Sequence, residues 1–270
     1  MSTLSREAVD AAAESLFRAE SEGVQTGLLS RRHPDMTLDD AYAVQDALVA
    51  RKRAAGRRSI GWKIGLTSKA MQAALGIDTP DSGVLLDDMR FAHGGCVPAG
   101  RFIQPRIEAE IAFVMDRDLD GAVDRDAVLA ATRHVVPALE ILDTRILRRD
   151  PDSGATRNIM DTVADNAANA GIVLGEAGHD PRGLDLRRVG CILSRDGEVE
   201  ETGLGAGVLN DPVEGVVWLA RRLAAYGQAI RAGEIVLSGS FVRPVEAPPG
   251  SRFLGDFGTF GTVAIDFAAE

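Results

Sequence analysis

The sequence predicts an α+β protein in which a helical N-terminal layer precedes a body of mixed strands. Two observations predict this class. Apolar side chains recur at helical spacing before about residue 58, and short strand patterns dominate the rest of the chain. There is no internal repeat, low-complexity tract or linker in the sequence. We therefore expect residues 1–58 to form the helical layer and residues 59–270 the main domain of mixed strands, joined in one compact unit.

Composition excludes several classes of function. The 270 residues are 45% hydrophobic and carry a formal net charge of -10, which argues against nucleic acid and anionic membranes as partners. With no long apolar run and no signal-peptide pattern, the expected location is the cytoplasm. Cys96, Cys191 and the four histidines lack metal-ligand spacing, so a zinc site is not expected. Both cysteines are expected to be buried and inert.

The first two elements are helices. Residues 5–19 place an apolar stripe on one helical face. Thr37 is a typical N-cap, and Asp40, three residues later, completes a capping box. Gly56 is a plausible end for this second helix. Neither helix carries obvious chemistry, and both are expected to pack on the main body.

Residues 59–69 predict a short strand that glycines interrupt. Lys63 lies within its apolar run, where an ammonium is costly unless it is paired or used in chemistry, although a strand lysine can also point to water. Thr67 and Ser68 are placed to cap a short helix through Leu75. Asp81 follows in a turn-like stretch, where it is either turn chemistry or a functional carboxylate.

The stretch from 104 to 113 is the clearest strand signal in the chain. Apolar residues alternate after Pro105, so Glu108 and Glu110 project side by side from the opposite face. Two adjacent carboxylates repel each other unless a cation lies between them. A solvated strand face is one interpretation of this pattern. The other is a site for a divalent cation with oxygen ligands, Mg²⁺ or Mn²⁺.

A third carboxylate follows on the next predicted strand. Residues 124–134 predict a helix that Pro137 ends, and residues 138–143 predict a strand with Glu140 among apolar neighbours. A bare buried carboxylate needs a cation or a proton. If the two strands are neighbours, Glu140 completes a set of three with Glu108 and Glu110 and leaves coordination positions open.

Two segments after this strand are polar. Residues 148–157 predict a mobile loop, with a lid as one interpretation. Further along, Asp161, Asp165, Asn166 and Asn169 crowd a stretch of small and apolar residues. Such side chains either satisfy a buried backbone locally or hydrogen-bond a substrate. The second interpretation makes Asp161 and Asn166 candidate substrate-binding residues.

The C-terminal third predicts a hairpin, a helix and two strands. The hairpin spans residues 184–201 with its turn at 195–197, and Asp211 caps a helix that ends at Gly227. Three glycines at 203, 205 and 207 lack dinucleotide-binding spacing because Val208 stands where the third glycine is required. Strands follow at 235–237 and 262–267. Between them, the loop with Ser240 is either an ordinary turn or a site for a carboxylate.

Five motifs in this order resemble one known family. They are G-W-K-I-G-L-T-S-K (61–69), P-D-S-G (80–83), Q-P-R-I-E-A-E-I-A-F (104–113), P-A-L-E-I-L-D (137–143) and D-T-V-A-D-N-A-A-N-A-G (161–171). The chain is similar to the 2-oxopent-4-enoate hydratase and 4-oxalocrotonate decarboxylase branch of the fumarylacetoacetate hydrolase superfamily. The resemblance implies a mixed β-roll, an Mg²⁺ or Mn²⁺ ion and a pentameric or decameric homo-oligomer.

The resemblance also implies roles for individual residues. Glu108, Glu110 and Glu140 match the metal ligands, Lys63 and Asp81 match the active-site lysine and aspartate, and Ser240 matches the loop that holds the substrate's carboxylate end.

Within the branch, residues 148–157 and 238–245 resemble most the 2-oxohept-3-ene-1,7-dioate hydratases of aromatic catabolism. Such a hydratase needs a partner for the distal C7 carboxylate. Arg243 is our candidate, with Arg148, Arg149 and Arg157 as rivals. Its alternative is a structural or subunit-interface role.

Other functions stay open from the sequence. They are hydration of 2-oxopent-4-enoate, decarboxylation of a 2-oxo-enedioate, and a non-catalytic role as the partner of a decarboxylase. Hydrolysis of an acylpyruvate needs a base that is often His, and the motifs contain none.

Overall fold

The computed structural model describes residues 3–69, 72–73, 77–121 and 123–269. Six helices of four or more residues lie within these ranges. They are α1 (Arg6–Glu22), α2 (Leu29–Arg32), α3 (Leu38–Ala54), α4 (Arg125–Ala131), α5 (Ile159–Ala164) and α6 (Pro212–Ala225). The short helix expected to run to Leu75 falls largely outside the described residues.

The strands form two sheets. In chain order they are β1 (Ser59–Gly65), β2 (Asp81–Leu86), β3 (Arg90–Phe91), β4 (Gly95–Val97), β5 (Arg106–Met115), β6 (Thr132–Leu142), β7 (Asn169–Leu174), β8 (Gly190–Arg195), β9 (Glu198–Leu204), β10 (Ile235–Ser240), β11 (Val245–Glu246), β12 (Arg252–Asp256) and β13 (Thr262–Phe267).

The larger sheet places the predicted central strand at its middle. Its order is β2-β1-β10-β5-β6-β7-β3, with β11 also paired to β5. The second sheet has the order β4-β13-β12-β8-β9. β1 and β10 run parallel, whereas β5 is antiparallel to both β10 and β6. The architecture is therefore α+β with mixed sheets, as predicted.

The alternation on β5 buries one face of the strand in the main core. Ile107, Ile111 and Phe113 are fully buried there, together with side chains of β6, β13 and α6. Each such side chain stabilises the fold by roughly 1.5–3 kcal/mol through removal of apolar surface from water. The strand that carries Glu108 and Glu110 is thus held rigidly from behind.

The N-terminal helices form a layer with a core of their own. Thr37 and Asp40 make the predicted capping box, and Leu16, Leu29 and Leu48 are fully buried between α1, α2 and α3. This cluster also includes side chains from α5. The layer is therefore packed on the body, and the division at residue 58 stays a prediction.

Helix α3 also fixes the start of β2. The Gln45 side chain donates to the backbone carbonyl of Ser82 at 2.9 Å, and the Tyr42 hydroxyl accepts from the Ser82 N–H at 3.2 Å. Both contacts are buried. They hold the backbone next to Asp81, a predicted catalytic residue.

Strand β6 differs from its prediction. It begins at Thr132, directly after α4, and Pro137 lies inside it rather than ending a helix. The carbonyl of Pro137 accepts from the Gly175 N–H, one residue beyond β7. Proline has no N–H to donate, so β6 lacks only one hydrogen bond to its neighbour, at the end of the β6–β7 ladder.

Strand β10 is also longer than predicted. It runs through Ser240, with a bulge between Leu237 and Ser240. The chain therefore turns only after Ser240. The hairpin of β8 and β9 is confirmed: Asp196 and Gly197 both have positive φ, which matches the right-handed twist of the strands.

One cysteine prediction is wrong. Cys191 is buried, but Cys96 is exposed, because its β4 position points away from the core. Among the described residues, no helix is both long enough and apolar enough to span a membrane.

Candidate metal centre and active site

Three carboxylates meet where β5 and β6 pair. Glu108 lies directly opposite Glu140 in the ladder, and Glu110 is two residues further along the same face of β5. Each offers one oxygen within 4.8 Å of those of the other two. The structure therefore brings together the three residues expected to bind a metal ion.

Their surroundings leave these carboxylates short of hydrogen-bond donors. Glu110 and Glu140 are buried, and among the described residues neither Oε1 of Glu110 nor either oxygen of Glu140 has a hydrogen-bond partner. The backbone N–H of Gly239 donates to Oε2 of Glu110 at 2.8 Å. Buried oxygens without partners are costly, and a divalent cation with oxygen ligands would satisfy them.

The acidity of the cluster reflects this burial and crowding. Burial, followed by the charge of Glu108, raises the pKa of Glu110 to about 8. Burial also raises the pKa of Glu108 and Glu140 above the ordinary value, against the opposing charge of Lys63. The carboxylates hold protons readily when no cation replaces them.

Lys63 is the counter-charge of the cluster. Its Nζ lies 3.5 Å from Oε1 of Glu140, and the side chain is buried. Burial by itself lowers the pKa of Lys63, but the charges of Glu140 and Asp81 outweigh it and raise the pKa above its usual range. Lys63 is therefore a fixed cation inside the site and does not point to water.

Asp81, the first residue of β2, lies close to Lys63. It lies opposite Gly65 on β1, and a Cβ on Gly65 would come within 2.2 Å of Oδ1 of Asp81 and 3.0 Å of Nζ of Lys63. Only glycine leaves room for both side chains here. Burial raises the pKa of Asp81, and the charge of Lys63 opposes the rise only in part.

A cavity of about 770 Å³ opens beside the three carboxylates. Lys63, Asp81 and Glu108 line it, and residues after β10 and before α5 form other parts of its wall. A volume of several hundred cubic ångströms suits a small organic substrate. The geometry combines a cation-binding set, a lysine and an aspartate at one end of a small-molecule cavity.

Ser240 and Arg243 both line this cavity, but each is already engaged. The Ser240 hydroxyl donates to the carbonyl of Val242 at 2.8 Å and accepts from the Val242 N–H. The Arg243 side chain is 78% exposed and forms an ion pair with Glu201 on β9. The substrate-binding roles expected for Ser240 and Arg243 stay predictions.

Asp161 and Asn166 are not among the residues that line the cavity, and their substrate-binding roles stay predictions. Both are fully buried. The Asp161 carboxylate accepts from the N–H and hydroxyl of Ser30 and from the N–H of Asn158. The Asn166 amide makes two hydrogen bonds to the backbone of Val84. Both side chains satisfy buried backbone groups, which is the alternative that the sequence left open.

Asn166 nevertheless shapes the cavity indirectly. It begins a run of three residues with positive φ, and the next two, Ala167 and Ala168, line the cavity. Non-glycine residues rarely adopt this backbone conformation. The hydrogen bonds of Asn166 to Val84 therefore hold a strained piece of cavity wall in place.

The sequence interpretation missed Arg106. It is the first residue of β5, lies on the face that carries Glu108 and Glu110, and lines the cavity. The period-two pattern that selected the two glutamates could also have selected Arg106. Arg157, one of the rivals considered for the distal carboxylate, lines the cavity as well.

Two curated relatives match nearly the whole chain, and no protein-family model matches it. The 2-oxo-hept-4-ene-1,7-dioate hydratase of Escherichia coli is 48% identical over 256 residues, which cover 94% of this chain and 96% of the relative. The 2-keto-4-pentenoate hydratase of Paraburkholderia xenovorans (strain LB400) is 45% identical over 262 residues, covering 96% and 94%.

A solved structure matches the fold over the same length. The 4-oxalocrotonate decarboxylase of Pseudomonas putida G7, in complex with magnesium and adipate, superposes with a TM-score of 0.92 at 35% identity. The match covers 99% of this chain and 100% of that one. Sequence and fold comparisons thus point to one group of enzymes.

Proposed function

The chain belongs to the hydratase and decarboxylase branch of the fumarylacetoacetate hydrolase superfamily, and from that premise we propose that it is a divalent-metal-dependent hydratase of a 2-oxo-enoate. The substrate we propose is 2-oxohept-3-ene-1,7-dioate, and the product is 4-hydroxy-2-oxoheptanedioate. The 3-ene, the 4-ene named for the Escherichia coli relative and the 2-hydroxy-2,4-diene differ only in the position of one proton.

One observation carries this proposal. Three carboxylates have oxygens within 4.8 Å of one another, and one of them, Glu108, lines a cavity together with Lys63 and Asp81. Buried oxygens of Glu110 and Glu140 lack hydrogen-bond partners among the described residues, and this and the raised pKa values suit a cation that replaces protons. Glu108, Glu110 and Glu140 would hold Mg²⁺ or Mn²⁺. When bound, this ion would supply Lewis-acid stabilisation of negative charge on the C2 oxygen of the substrate.

Lys63 and Asp81 have the two remaining roles, charge stabilisation and proton transfer. Lys63, as a buried ammonium, stabilises negative charge that develops on the substrate next to Glu140. Asp81, whose pKa burial raises, carries the proton that moves between C3 and C5 as the tautomers interconvert. Water then adds to C4 of the conjugated 3-ene, with its second proton delivered to C3.

Two further segments form parts of the cavity wall around this chemistry. The strained run of Ala167 and Ala168 lies on one side, and the turn after β10, closed by the Ser240 hydroxyl, lies on another. Fixed polar groups in a partly desolvated site stabilise charge more strongly than water does. We propose that Ser240 presents this turn to a substrate carboxylate.

Turnover by the purified chain tests the proposal. Loss of dienol absorbance should be measured with five- and seven-carbon substrates, with Mg²⁺ and after chelation, while released CO₂ is trapped. We expect Mg²⁺-dependent loss of absorbance without CO₂ and a higher kcat/KM for the seven-carbon diacid. Stoichiometric CO₂ would instead assign a decarboxylase, and no turnover of either substrate would reject the hydratase.

We also propose, from the family resemblance, that the chain works as a pentameric or decameric homo-oligomer. Light scattering coupled to gel filtration measures the mass in solution directly. A monomer at micromolar concentration would contradict this part of the proposal.

A further inference from the structure

Arginines gather at one side of the cavity. Arg106 and Arg157 both line it. The guanidinium groups of Arg106 and Arg148 both approach Oε1 of Glu246, with nitrogens 3.8 Å and 2.6 Å from it. Burial lowers the pKa of Arg157 against the opposing charge of Asp165, and the charges of Arg106 and Arg148 lower it further. Three guanidinium groups therefore lie close enough to repel one another.

Few negative charges balance this arginine cluster of Arg106, Arg148 and Arg157. Glu246 forms an ion pair with Arg148, with Nη1 of Arg148 2.6 Å from Oε1 of Glu246. The Glu246 side chain is 58% exposed. Nε of Arg106 is 3.8 Å from the same carboxylate oxygen, too far for a hydrogen bond, and this buried nitrogen has no hydrogen-bond partner in the described part of the chain. The Arg106 guanidinium is thus short of an acceptor.

The positive charge of Arg157 is also only partly compensated. Its Nη1 donates to the hydroxyl of Thr144 at 2.7 Å, and Thr144 is buried. Within the described ranges, no carboxylate oxygen lies within 4 Å of its guanidinium nitrogens. One end of the guanidinium is therefore anchored, and the side chain borders the cavity with a charge that Asp165, itself paired with Arg145, opposes only in part.

The spacing between the arginines and the carboxylate cluster suits a diacid. Arg106 precedes Glu108 by two residues on one strand face, a separation of roughly 6.6 Å between Cα atoms. The terminal carbons of an extended seven-carbon chain are about 7.5 Å apart, from six carbon–carbon bonds at tetrahedral angles. A diacid held at Glu108 by its keto-acid end can reach the arginine cluster with its other end.

We propose that Arg157, assisted by Arg106, binds the second carboxylate of a seven-carbon dicarboxylate substrate and so sets the preference for diacids. This inference rests on the proposed function for the position of the keto-acid end. It replaces Arg243 in that role, because Arg243 is already paired with Glu201 and its side chain is 78% exposed. Arginine suits a planar carboxylate because its donors form a bidentate fork.

Binding of saturated analogues tests this site independently of turnover. In the presence of Mg²⁺, calorimetry should compare 2-oxoheptanedioate with 2-oxopentanoate. We expect Arg157→Gln to weaken the diacid roughly 10- to 100-fold, since a hydrogen bond to a charged group is lost, and to change the monoacid less than threefold. Arg157→Lys should recover part of the loss, because it keeps the charge but not the fork.

Two further variants sharpen the result. Arg149→Gln removes the same charge from an exposed position in the same segment, outside the cavity, and should leave both affinities within twofold. Arg106→Gln should give a smaller loss that is again confined to the diacid. It keeps the test informative if Arg157→Gln fails to fold, which circular dichroism would reveal.

Three results would overturn the proposal. They are equal losses on both analogues, no loss on either, and a selective loss in Arg243→Ala with none in Arg157→Gln. Failure of the proposed function is distinct from these results. A protein that hydrates neither enoate but prefers the saturated diacid, and loses that preference in Arg157→Gln, still has the carboxylate site.

Discussion

Replacing Glu110 by Gln should remove a pH-dependent cost from the metal-free protein. The pKa of Glu110 rises from 4.5 to about 8, first through burial and then through Glu108. Between those pH values the folded chain keeps a proton that the unfolded chain has released, so stability falls as pH rises. Each pKa unit corresponds to about 1.4 kcal/mol, which caps the cost at roughly 5 kcal/mol above pH 8. Gln is neutral at every pH and can still accept from Gly239.

Thermal unfolding in EDTA at pH 5, 7 and 9 measures this difference. Because neighbouring carboxylates share protons with Glu110, we expect a gain in Glu110→Gln of about 1–3 kcal/mol at pH 9, or a few degrees in Tm, and little gain at pH 5. Glu201→Gln, a carboxylate outside the cluster, is the matched control and should show no such trend. A Glu110→Gln gain that is equal at all three pH values would refute the electrostatic argument.

Three other substitutions probe the site from different sides. Gly65→Ala puts a Cβ 2.2 Å from Oδ1 of Asp81, so kcat should fall on the order of 100-fold in steady-state assays. A kcat within twofold of wild type would contradict the assignment of Asp81. Asn166→Ala deprives the backbone of Val84 of two hydrogen bonds and should cost about 1–3 kcal/mol in urea unfolding, whereas unchanged stability would remove the case for a held cavity wall. Lys63→Met should lower kcat at least ~100-fold. It should not weaken Mg²⁺ binding, because it removes a cation 3.5 Å from Glu140. Weaker Mg²⁺ binding would show that Lys63 instead organises the carboxylates.

Local pattern was sufficient to predict the strand segments that carry the three carboxylates of the candidate metal site. The alternation around Glu108 and Glu110 has a period of two, and a buried strand keeps that period regardless of what pairs with it. Glu140 was identified because a carboxylate among apolar residues is costly without a cation or a proton. That Glu108 and Glu140 lie directly opposite is a matter of register, which the structure supplies.

Sequence alone was insufficient where tertiary contacts decide the outcome. Pro137 is a break signal in isolation, but it is tolerated in β6 because β7 ends beside it. Asp161 and Asn166 have the composition of a binding site. Ser30, a partner of Asp161, and Val84, the partner of Asn166, are 131 and 82 residues away in sequence. Asn158 is a local partner of Asp161, and the capping box that the two residues form is a signal that the sequence did contain.

The arginines are a second case in which the sequence alone could not decide between residues. Arg243 was favoured by its motif, yet the fold pairs it with Glu201. Arg157 lies in a polar stretch that suggested only a loop, and its position at the cavity depends on how that stretch folds back towards Thr144. The sequence suggested an arginine as the partner of a distal carboxylate, but it contains no local signal that ranks Arg157 against Arg243.

Calorimetric titration of the chelator-treated protein with Mg²⁺ or Mn²⁺ tests the central claim most directly. If Glu108, Glu110 and Glu140 form the cation site, the protein should bind one ion per chain with release of protons, since the carboxylates with raised pKa values must deprotonate. Glu140→Gln should abolish or greatly weaken this binding. An unchanged stoichiometry and affinity in Glu140→Gln would contradict the account.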